Sequence, residues 1–221
     1  MIDRPRVGLI GGTFDPIHIG HLAAAAEAMR ALSLSAVRFL PSRLPPHRTE
    51  APAASAYHRF AMVALALAER ASWAVSDAEL LRDGPSFTYD TLLAAHAEGW
   101  LPSQIFFIAG ADAFAEIDTW SRYPAVLDAA HFVVVARPGT AVGSLAARLP
   151  SLAARMMRPH DAAALSSPHV ILVEAETPAV SSTEIRRRAA AGLPIRDMVP
   201  EGVAAHIERH HLYAAGRTPS A

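Results

Sequence analysis

The 221-residue chain is 52% hydrophobic with a formal net charge of -1, enough apolar content to bury a sizeable core as one domain. That charge carries no electrostatic footprint for DNA or RNA. Cysteine is absent, which excludes disulfides, thiolate metal sites and a cysteine nucleophile. All 20 residues counted as Lys+Arg are arginine, a bias that reads as base composition as much as selection. Met1-Ile2-Asp3-Arg4-Pro5-Arg6 offers no signal-peptide core. The apolar stretch Ala61 to Ala68 lies between Arg59 and Arg70 and is too short for a bilayer. A cytoplasmic protein without membrane or nucleic-acid partners is the expectation, and a homo-oligomer is compatible with it.

In chain order, Arg6–Ile10 reads as a strand, Leu22–Leu32 as a helix and Val37–Leu40 as the next strand, followed by a proline-rich loop from Pro41 to Pro52. Ala56–Arg70 reads as a helix, Trp73–Ser76 as a short strand, and Thr88–Glu98 as a helix with Thr88 as candidate N-cap. Gln104–Ala109 and Phe132–Ala136 are short, nearly continuous apolar runs, the pattern of strands buried on both faces. Arg137-Pro138-Gly139 breaks the chain, and an Ala-rich helical stretch follows. Val170–Val173 is the last clear strand, and Ser182–Ala191 and Glu201–His210 close the chain as helices. The tail from Ala214 reads as disordered. Strands alternating with helices predict a Rossmann-like, doubly wound parallel sheet with helices on both faces. In such sheets ligands bind beyond the carboxyl ends of the strands, where the strand order reverses.

Two stretches carry the chemistry. Gly11 to Leu22 reads GGTFDPIHIGHL after the apolar run Val7-Gly8-Leu9-Ile10. A strand that ends in glycines and feeds a helix exposes backbone N–H groups and the positive end of a helix dipole, a phosphate cradle. His18 and His21 stand three apart around Gly20, so both can project toward one point. A dinucleotide fingerprint would need G-x-G-x-x-G, which Gly8, Gly11 and Gly12 do not supply. The second stretch, Val180-Ser181-Ser182-Thr183-Glu184-Ile185-Arg186, opens with a capping-box pattern from Ser181 to Glu184. Ser182 and Thr183 can donate to phosphate oxygens, and Arg186 can add a bidentate fork. Arg187 and Arg188 fall on other helix faces and read as solvated charge.

Together these stretches resemble the HxGH and ISSTxIR motifs of the nucleotidyltransferase superfamily, with Val180 in place of isoleucine. Intermediate segments narrow the resemblance to the bacterial nicotinate-nucleotide adenylyltransferases. Leu44-Pro45-Pro46-His47-Arg48 is similar to their PPHK/R loop, and Asp83-Gly84-Pro85-Ser86-Phe87-Thr88 to their PSYT segment. Gly110-Ala111-Asp112 with Trp120 is similar to their GxD…W segment, and Ala136-Arg137-Pro138-Gly139 to their RPG turn. The resemblance runs in order from Val7 to Tyr213. Arg48 stands where lysine is common, and Ser121 where some relatives carry tyrosine.

The resemblance implies transfer of AMP from ATP to nicotinate mononucleotide, giving deamido-NAD and pyrophosphate, with Mg²⁺ carried mainly by the ATP phosphates. It implies a catalytic set of His18, His21 and Arg186. The ATP-binding set would be Gly11, Gly12, Thr13, Phe14, His18, Gly20, His21, Ser181, Ser182, Thr183 and Arg186. The acceptor would meet Asp15, His47, Arg48, Thr88, Gly110, Asp112, Trp120 and Arg137, with the nicotinate ring against Trp120 and its carboxylate on backbone N–H groups near Thr88. Asp15 also reads as a turn former that orders the glycine loop.

Two alternatives stay open: an adenylyltransferase for another phosphorylated acceptor such as phosphopantetheine, and a non-catalytic nucleotide sensor. The PPHR loop and Trp120 argue against the first, and the intact His18 and His21 against the second. His206 and His210 have the i,i+4 spacing of a metal pair, but no third ligand is apparent in the sequence; they read as surface or helix-end residues. Met156-Met157 reads as packing, and His58 and His96 need no role.

Overall fold

The computed structural model describes residues 5–46, 51–136 and 143–214. The positions of His47, Arg48 and Arg137, and the tail beyond Ala214, therefore lie outside the described residues. The order begins with β1 (Val7–Gly12), α1 (Ile19–Leu32), β2 (Ala36–Pro41), α2 (Ala56–Leu67), β3 (Trp73–Val75) and α3 (Thr88–Ala97). It continues with β4 (Ile105–Gly110), α4 (Ala111–Phe114), β5 (His131–Val135), α5 (Gly143–Arg148), β6 (Met156–Met157) and β7 (Val170–Val173), and ends with α6 (Ser182–Ala190) and α7 (Glu201–Arg209).

These elements build one seven-stranded sheet in the order β3-β2-β1-β4-β5-β7-β6. The β1–β4, β4–β5, β5–β7 and β6–β7 pairs are all parallel. This is the Rossmann-like, doubly wound sheet that the alternating strands and helices predict. Chain order runs outward from β1 through β2 to β3 on one side and from β4 through β5 to β7 on the other, with β6 outermost, so the switch point lies between the carboxyl ends of β1 and β4.

Among the described residues, contacts gather the chain into two compact units. The first comprises Met1–Gly11, Ala23–Arg38 and Phe87–Pro178; the second comprises Gly12–Leu22, Phe39–Ser86 and Ala179–Ala221. In the first unit, β4 and β5 are buried along nearly their whole length, as central parallel strands flanked on both faces must be. Gly8 sits in the middle of β1 for a steric reason. A Cβ there would stand 3.0 Å from Leu34 Cδ1, 3.1 Å from Ile108 Cδ1 and 3.2 Å from Val37 Cγ2. In the second unit, α2 is capped by Ser55, whose hydroxyl accepts from His58 N at 3.4 Å.

The expected elements recur with shifted ends, and three differences have physical causes. First, α1 starts at Ile19 instead of Leu22, because the His18 carbonyl already accepts from His21 N at 3.0 Å and from Leu22 N at 3.3 Å. Gly20 and His21 are thus in the first helical turn. Second, Thr88 is not the cap of α3. Phe87 holds that position, and no side chain caps the helix. Third, the helical stretch expected after Arg137-Pro138-Gly139 is short. Pro150 and Pro159 each open a 3₁₀ segment instead, Pro150–Arg155 and Pro159–Ala164, since proline fits a first turn but not a helix interior. Between them Met156–Met157 forms an edge strand on β7 and not core packing. Two residues are too few to carry any periodicity.

His131, at the start of β5, is 0% exposed. Its ring stacks on Phe106 at 4.7 Å, and its Nδ1 accepts from His169 N at 3.2 Å. Burial foremost, then the nearby His169 and Arg6, lower its pKa to about 4, against a backbone contact at Ser103 that favours the proton. The unfolded chain takes up this proton near pH 6.5 and the folded chain only near 4. The stability tied to this group is therefore complete above about pH 6.5, is lost as the pH falls from there to about 4, and levels off below. The loss is expected to reach roughly 3 kcal/mol at most. His131→Asn, which keeps an acceptor without a proton to take up, should flatten that part of the curve in denaturant titrations between pH 7 and 4. An unchanged slope would remove His131 as its source.

Candidate active site

The turn between β1 and α1 is shaped by one aromatic ring. Phe14 has a left-handed backbone, φ +47°, which is rare for a bulky residue and marks a position held by its surroundings. Its ring is 2% exposed and lies on Gly12, where a Cβ would come within 3.1 Å of two ring atoms. A side chain there would oblige the Phe14 ring to give by a few tenths of an ångström. The same ring meets Phe39 at 5.9 Å and takes the edge of His21 at 5.1 Å. Phe14 was expected among the ATP-binding residues, but its side chain is spent on packing the turn.

His21 also stacks on His18, with centroids 3.7 Å apart and planes at 25°. His21 Nδ1 accepts from the His18 backbone N–H at 3.3 Å. That bond leaves the ring proton on Nε2 in the neutral imidazole, so Nε2 can donate outward. Ile19 N donates to the Met198 carbonyl at 3.1 Å, which ties the start of α1 to the segment after α6.

The second motif fastens directly onto this turn. Ser182 Oγ donates to the Pro16 carbonyl at 2.9 Å, and Arg186 Nη1 donates to the Asp15 carbonyl at 2.7 Å. Arg186 Nη2 is 3.4 Å from Thr183 Oγ1. The two motifs, far apart in sequence, are thus joined by hydrogen bonds. Ser182 departs from expectation, since its hydroxyl is directed to Pro16 and not held open for phosphate. What α6 still offers an anion is its first-turn amides, the exposed Thr183 hydroxyl and the guanidinium. Ser181 caps α6 through Glu184 N at 3.2 Å, but the capping box is only half made. The Glu184 carboxylate instead meets Arg187 at 2.7 Å and Arg188 at 3.1 Å. Those guanidiniums, Arg187 first, hold its pKa down to about 2. Arg187 and Arg188 are engaged there, in ion pairs on the helix surface.

Asp15 is the clearest departure. It was expected to touch the acceptor, yet it is 2% exposed. Its Oδ2 accepts from Ala53 N at 2.7 Å, and its Oδ1 accepts from Ala54 N at 3.1 Å and Tyr213 Oη at 2.8 Å. It is the turn former of the two roles read for it. Arg59, which the sequence reading passed over, is 1% exposed. It donates to the Thr13 carbonyl at 2.7 Å and the Ala54 carbonyl at 3.2 Å. The available signal was a charged residue inside the apolar face of α2, which burial tolerates only when its donors are matched.

A further correction concerns His206 and His210. A third imidazole joins them, because His58 Nδ1 lies 3.1 Å from His206 Nε2 and the three ring centroids are 4.4 to 5.2 Å apart. Burial, then His210, His58 and Arg209, lower the His206 pKa. Even so, among the described residues no group of three or more His, Asp or Glu is arranged to hold a metal ion.

Of the expected acceptor residues, Thr88, Gly110, Asp112 and Trp120 belong to the first unit. Thr88 is the first residue of the uncapped α3. Gly110 closes β4 and caps α4, and Asp112 lies exposed in the first turn of α4. Trp120 is half-buried, edge-on to Phe107 at 6.1 Å and to Phe132 at 6.2 Å.

Residues 9–188 match the family described as cytidylyltransferase-like. A relative from Symbiobacterium thermophilum, curated as "Probable nicotinate-nucleotide adenylyltransferase", is 41% identical over 96% of this chain and 97% of its own. One of the same name from Pseudomonas aeruginosa is 43% identical over 95% and 98%. A Plasmodium falciparum nicotinic acid mononucleotide adenylyltransferase, solved in complex with NaAD, shares the fold with a TM-score of 0.68 at 16% identity, over 95% of this chain and 98% of its own. The chain belongs to the cytidylyltransferase-like family, on its nicotinate-nucleotide adenylyltransferase branch.

Arg59→Met keeps the apolar stem but strips both carbonyl partners. Each buried carbonyl left unmatched costs about 1–3 kcal/mol. Chemical denaturation should show a loss of roughly 2 kcal/mol or more, and a midpoint equal to wild type would contradict the assigned contacts.

Proposed function

We propose that this protein transfers AMP from ATP to nicotinate mononucleotide, releasing pyrophosphate and deamido-NAD. The observation that carries the reading is the joining of the stacked His18–His21 pair and Arg186 through one buried turn, whose own carboxylate, Asp15, is matched by buried donors. The substrate follows from the names of relatives that match nearly the whole chain at 41% and 43% identity.

The acceptor's 5′-phosphate is already an anion at neutral pH, so the reaction needs no general base. What it needs is alignment for in-line attack on the α-phosphate and neutralisation of charge on the phosphate oxygens. The O–P bond to the α-phosphate forms as its bond to the pyrophosphate oxygen breaks, and the electron pair leaves with pyrophosphate. The Gly11-Gly12-Thr13 backbone and the first turns of α1 and α6 cradle the triphosphate. His21 donates from Nε2, while His18 stacks beneath it and keeps its ring from turning. Arg186 takes the charge that accumulates on the leaving phosphates.

The donor set of this turn is imidazole, amide, hydroxyl and guanidinium, which suits phosphate oxygens and not a hard cation. A divalent ion, Mg²⁺ in this reading, would accordingly be held by the ATP phosphates and would shield the β- and γ-charge when bound. Thr88, Trp120, Asp112 and Gly110 are the acceptor side of the reading, together with His47, Arg48 and Arg137. The uncapped start of α3 leaves amide donors near Thr88 for the nicotinate carboxylate, and the half-buried Trp120 offers a ring face. Among the described residues no helix is long and apolar enough to cross a membrane, and soluble substrates fit a cytoplasmic enzyme, alone or as a homo-oligomer.

The deciding experiment supplies purified protein with ATP, Mg²⁺ and a panel of phosphorylated acceptors and follows pyrophosphate release. Nicotinate mononucleotide should give the highest kcat/KM. Turnover with phosphopantetheine alone, or with no acceptor at all, would overturn the assignment.

His18→Ala and His21→Ala, made singly, should lower kcat by ~10²–10³ while ATP binding weakens far less, since His21 donates to charge that develops in the transition state and His18 holds the ring that does so. A fully active His21→Ala enzyme would refute the role.

The acid should also be preferred to its amide. Backbone N–H groups welcome an acceptor-only carboxylate and meet an NH₂ group unfavourably, and a mismatched ligand leaves buried donors unpaired. Trp120→Ala should raise the acceptor KM and leave the ATP KM nearly unchanged. Equal kcat/KM for nicotinate and nicotinamide mononucleotide would remove this account of the pocket.

A further inference from the structure

Beyond α7 the chain reverses sharply. His211 N donates to the Glu208 carbonyl at 3.1 Å and Leu212 N to the Ile207 carbonyl at 3.0 Å. His211 and Tyr213 both adopt left-handed backbone, with φ +50° and +66°. Two such non-glycine residues in three persist only where surrounding contacts over-determine them. The reversal has one evident product: it carries the Tyr213 hydroxyl to Asp15 Oδ1 at 2.8 Å. Among the described residues the other donors to that carboxylate are the amides of Ala53 and Ala54. Arg186 Nη1 binds the Asp15 carbonyl at 2.7 Å and stays 4.0 Å from Oδ2.

We propose that Tyr213 is a positioning residue for the transfer reaction, acting through Asp15 on Arg186. By donating to Oδ1, the phenol offsets carboxylate charge that would otherwise draw the guanidinium toward Oδ2, 4.0 Å away. Arg186 is thereby kept on the backbone carbonyl, where its remaining N–H groups can face the triphosphate. Without the hydroxyl, the carboxylate has an unmatched lone pair in a site with almost no access to water. The nearest mobile cation is Arg186, and closing a 4.0 Å gap to a buried carboxylate is strongly favoured. The arginine would then be drawn into the turn and away from the nucleotide. Burial, then the charge and hydrogen bond of Asp15, raise the Tyr213 pKa above the ordinary tyrosine value, so the phenol remains a donor across the working range.

This inference rests on the reading that the turn binds a triphosphate, and the experiment separates the two. Wild type, Tyr213→Phe, Arg186→Ala and the double variant are compared by pyrophosphate release with nicotinate mononucleotide, and by calorimetry of Mg·ATP binding without acceptor. A wild type that binds Mg·ATP but does not turn over removes the proposed function and leaves the binding arm to test Tyr213. Tyr213→Phe should fold, and should lose about tenfold in kcat/KM for ATP and in Mg·ATP affinity, the low end of what a hydrogen bond to a charged group is worth. In the Arg186→Ala background the same change should cost less than twofold, because the group it acts through is gone. Tyr213→Gln, which returns an N–H donor, should recover most of the loss. The proposal is overturned if Tyr213→Phe stays within twofold of wild type, or if the loss is equal in both backgrounds. It also falls if Tyr213→Gln is no better than Tyr213→Phe, or if Tyr213→Phe fails to fold while a folded Tyr213→Gln is inactive; that last result assigns the residue to folding alone.

Discussion

A carboxylate shut away from water must be matched by donors, or its desolvation opposes folding. Asp15 meets that demand with the amides of Ala53 and Ala54 and the phenol of Tyr213. These partners come from the loop before α2 and from the end of the chain. The turn that carries Asp15 is then no longer free to wander. Its carbonyls at Thr13, Asp15 and Pro16 point to Arg59, Arg186 and Ser182. The backbone between β1 and α1 is thus fixed from three directions, and the imidazoles that follow inherit that order.

Rigidity of this kind is what phosphoryl transfer asks of a protein. Little covalent chemistry is left to supply, so rate comes from donors already placed where charge develops. His21 acquires its tautomer from the His18 backbone and its tilt from Phe14. Arg186 and the start of α6 add positive potential from a part of the sequence far removed. The left-handed Phe14 over Gly12 is where local backbone preference is sacrificed to set the turn, as functional sites commonly require.

The comparison with the Plasmodium falciparum enzyme separates scaffold from site. At 16% identity the fold persists with a TM-score of 0.68, because a parallel sheet needs only apolar runs of the right length and right-handed crossovers. Fold alone would not select a substrate. That choice depends on the few side chains and amides that the strand ends present.

Much of this was legible in the chain itself. The apolar runs of β4, β5 and β7 and the glycine-closed β1 announce a buried parallel sheet. GGTFDPIHIGHL and VSSTEIR announce two helix starts led by glycines or hydroxyls, since period, glycine and hydroxyl spacing are local properties that act within a few residues. Other features were decided by tertiary contact alone. Met156–Met157 becomes a strand only because β7 offers it an edge. Phe87 takes the cap position from Thr88, and Ser182 turns to a carbonyl 166 residues away. His58 meets His206 across 148 residues. Asp15 turns inward because Ala53, Ala54 and Tyr213 are brought to it. Pairings of that kind depend on which distant donors share a buried space, and no periodicity in a linear sequence encodes such a meeting.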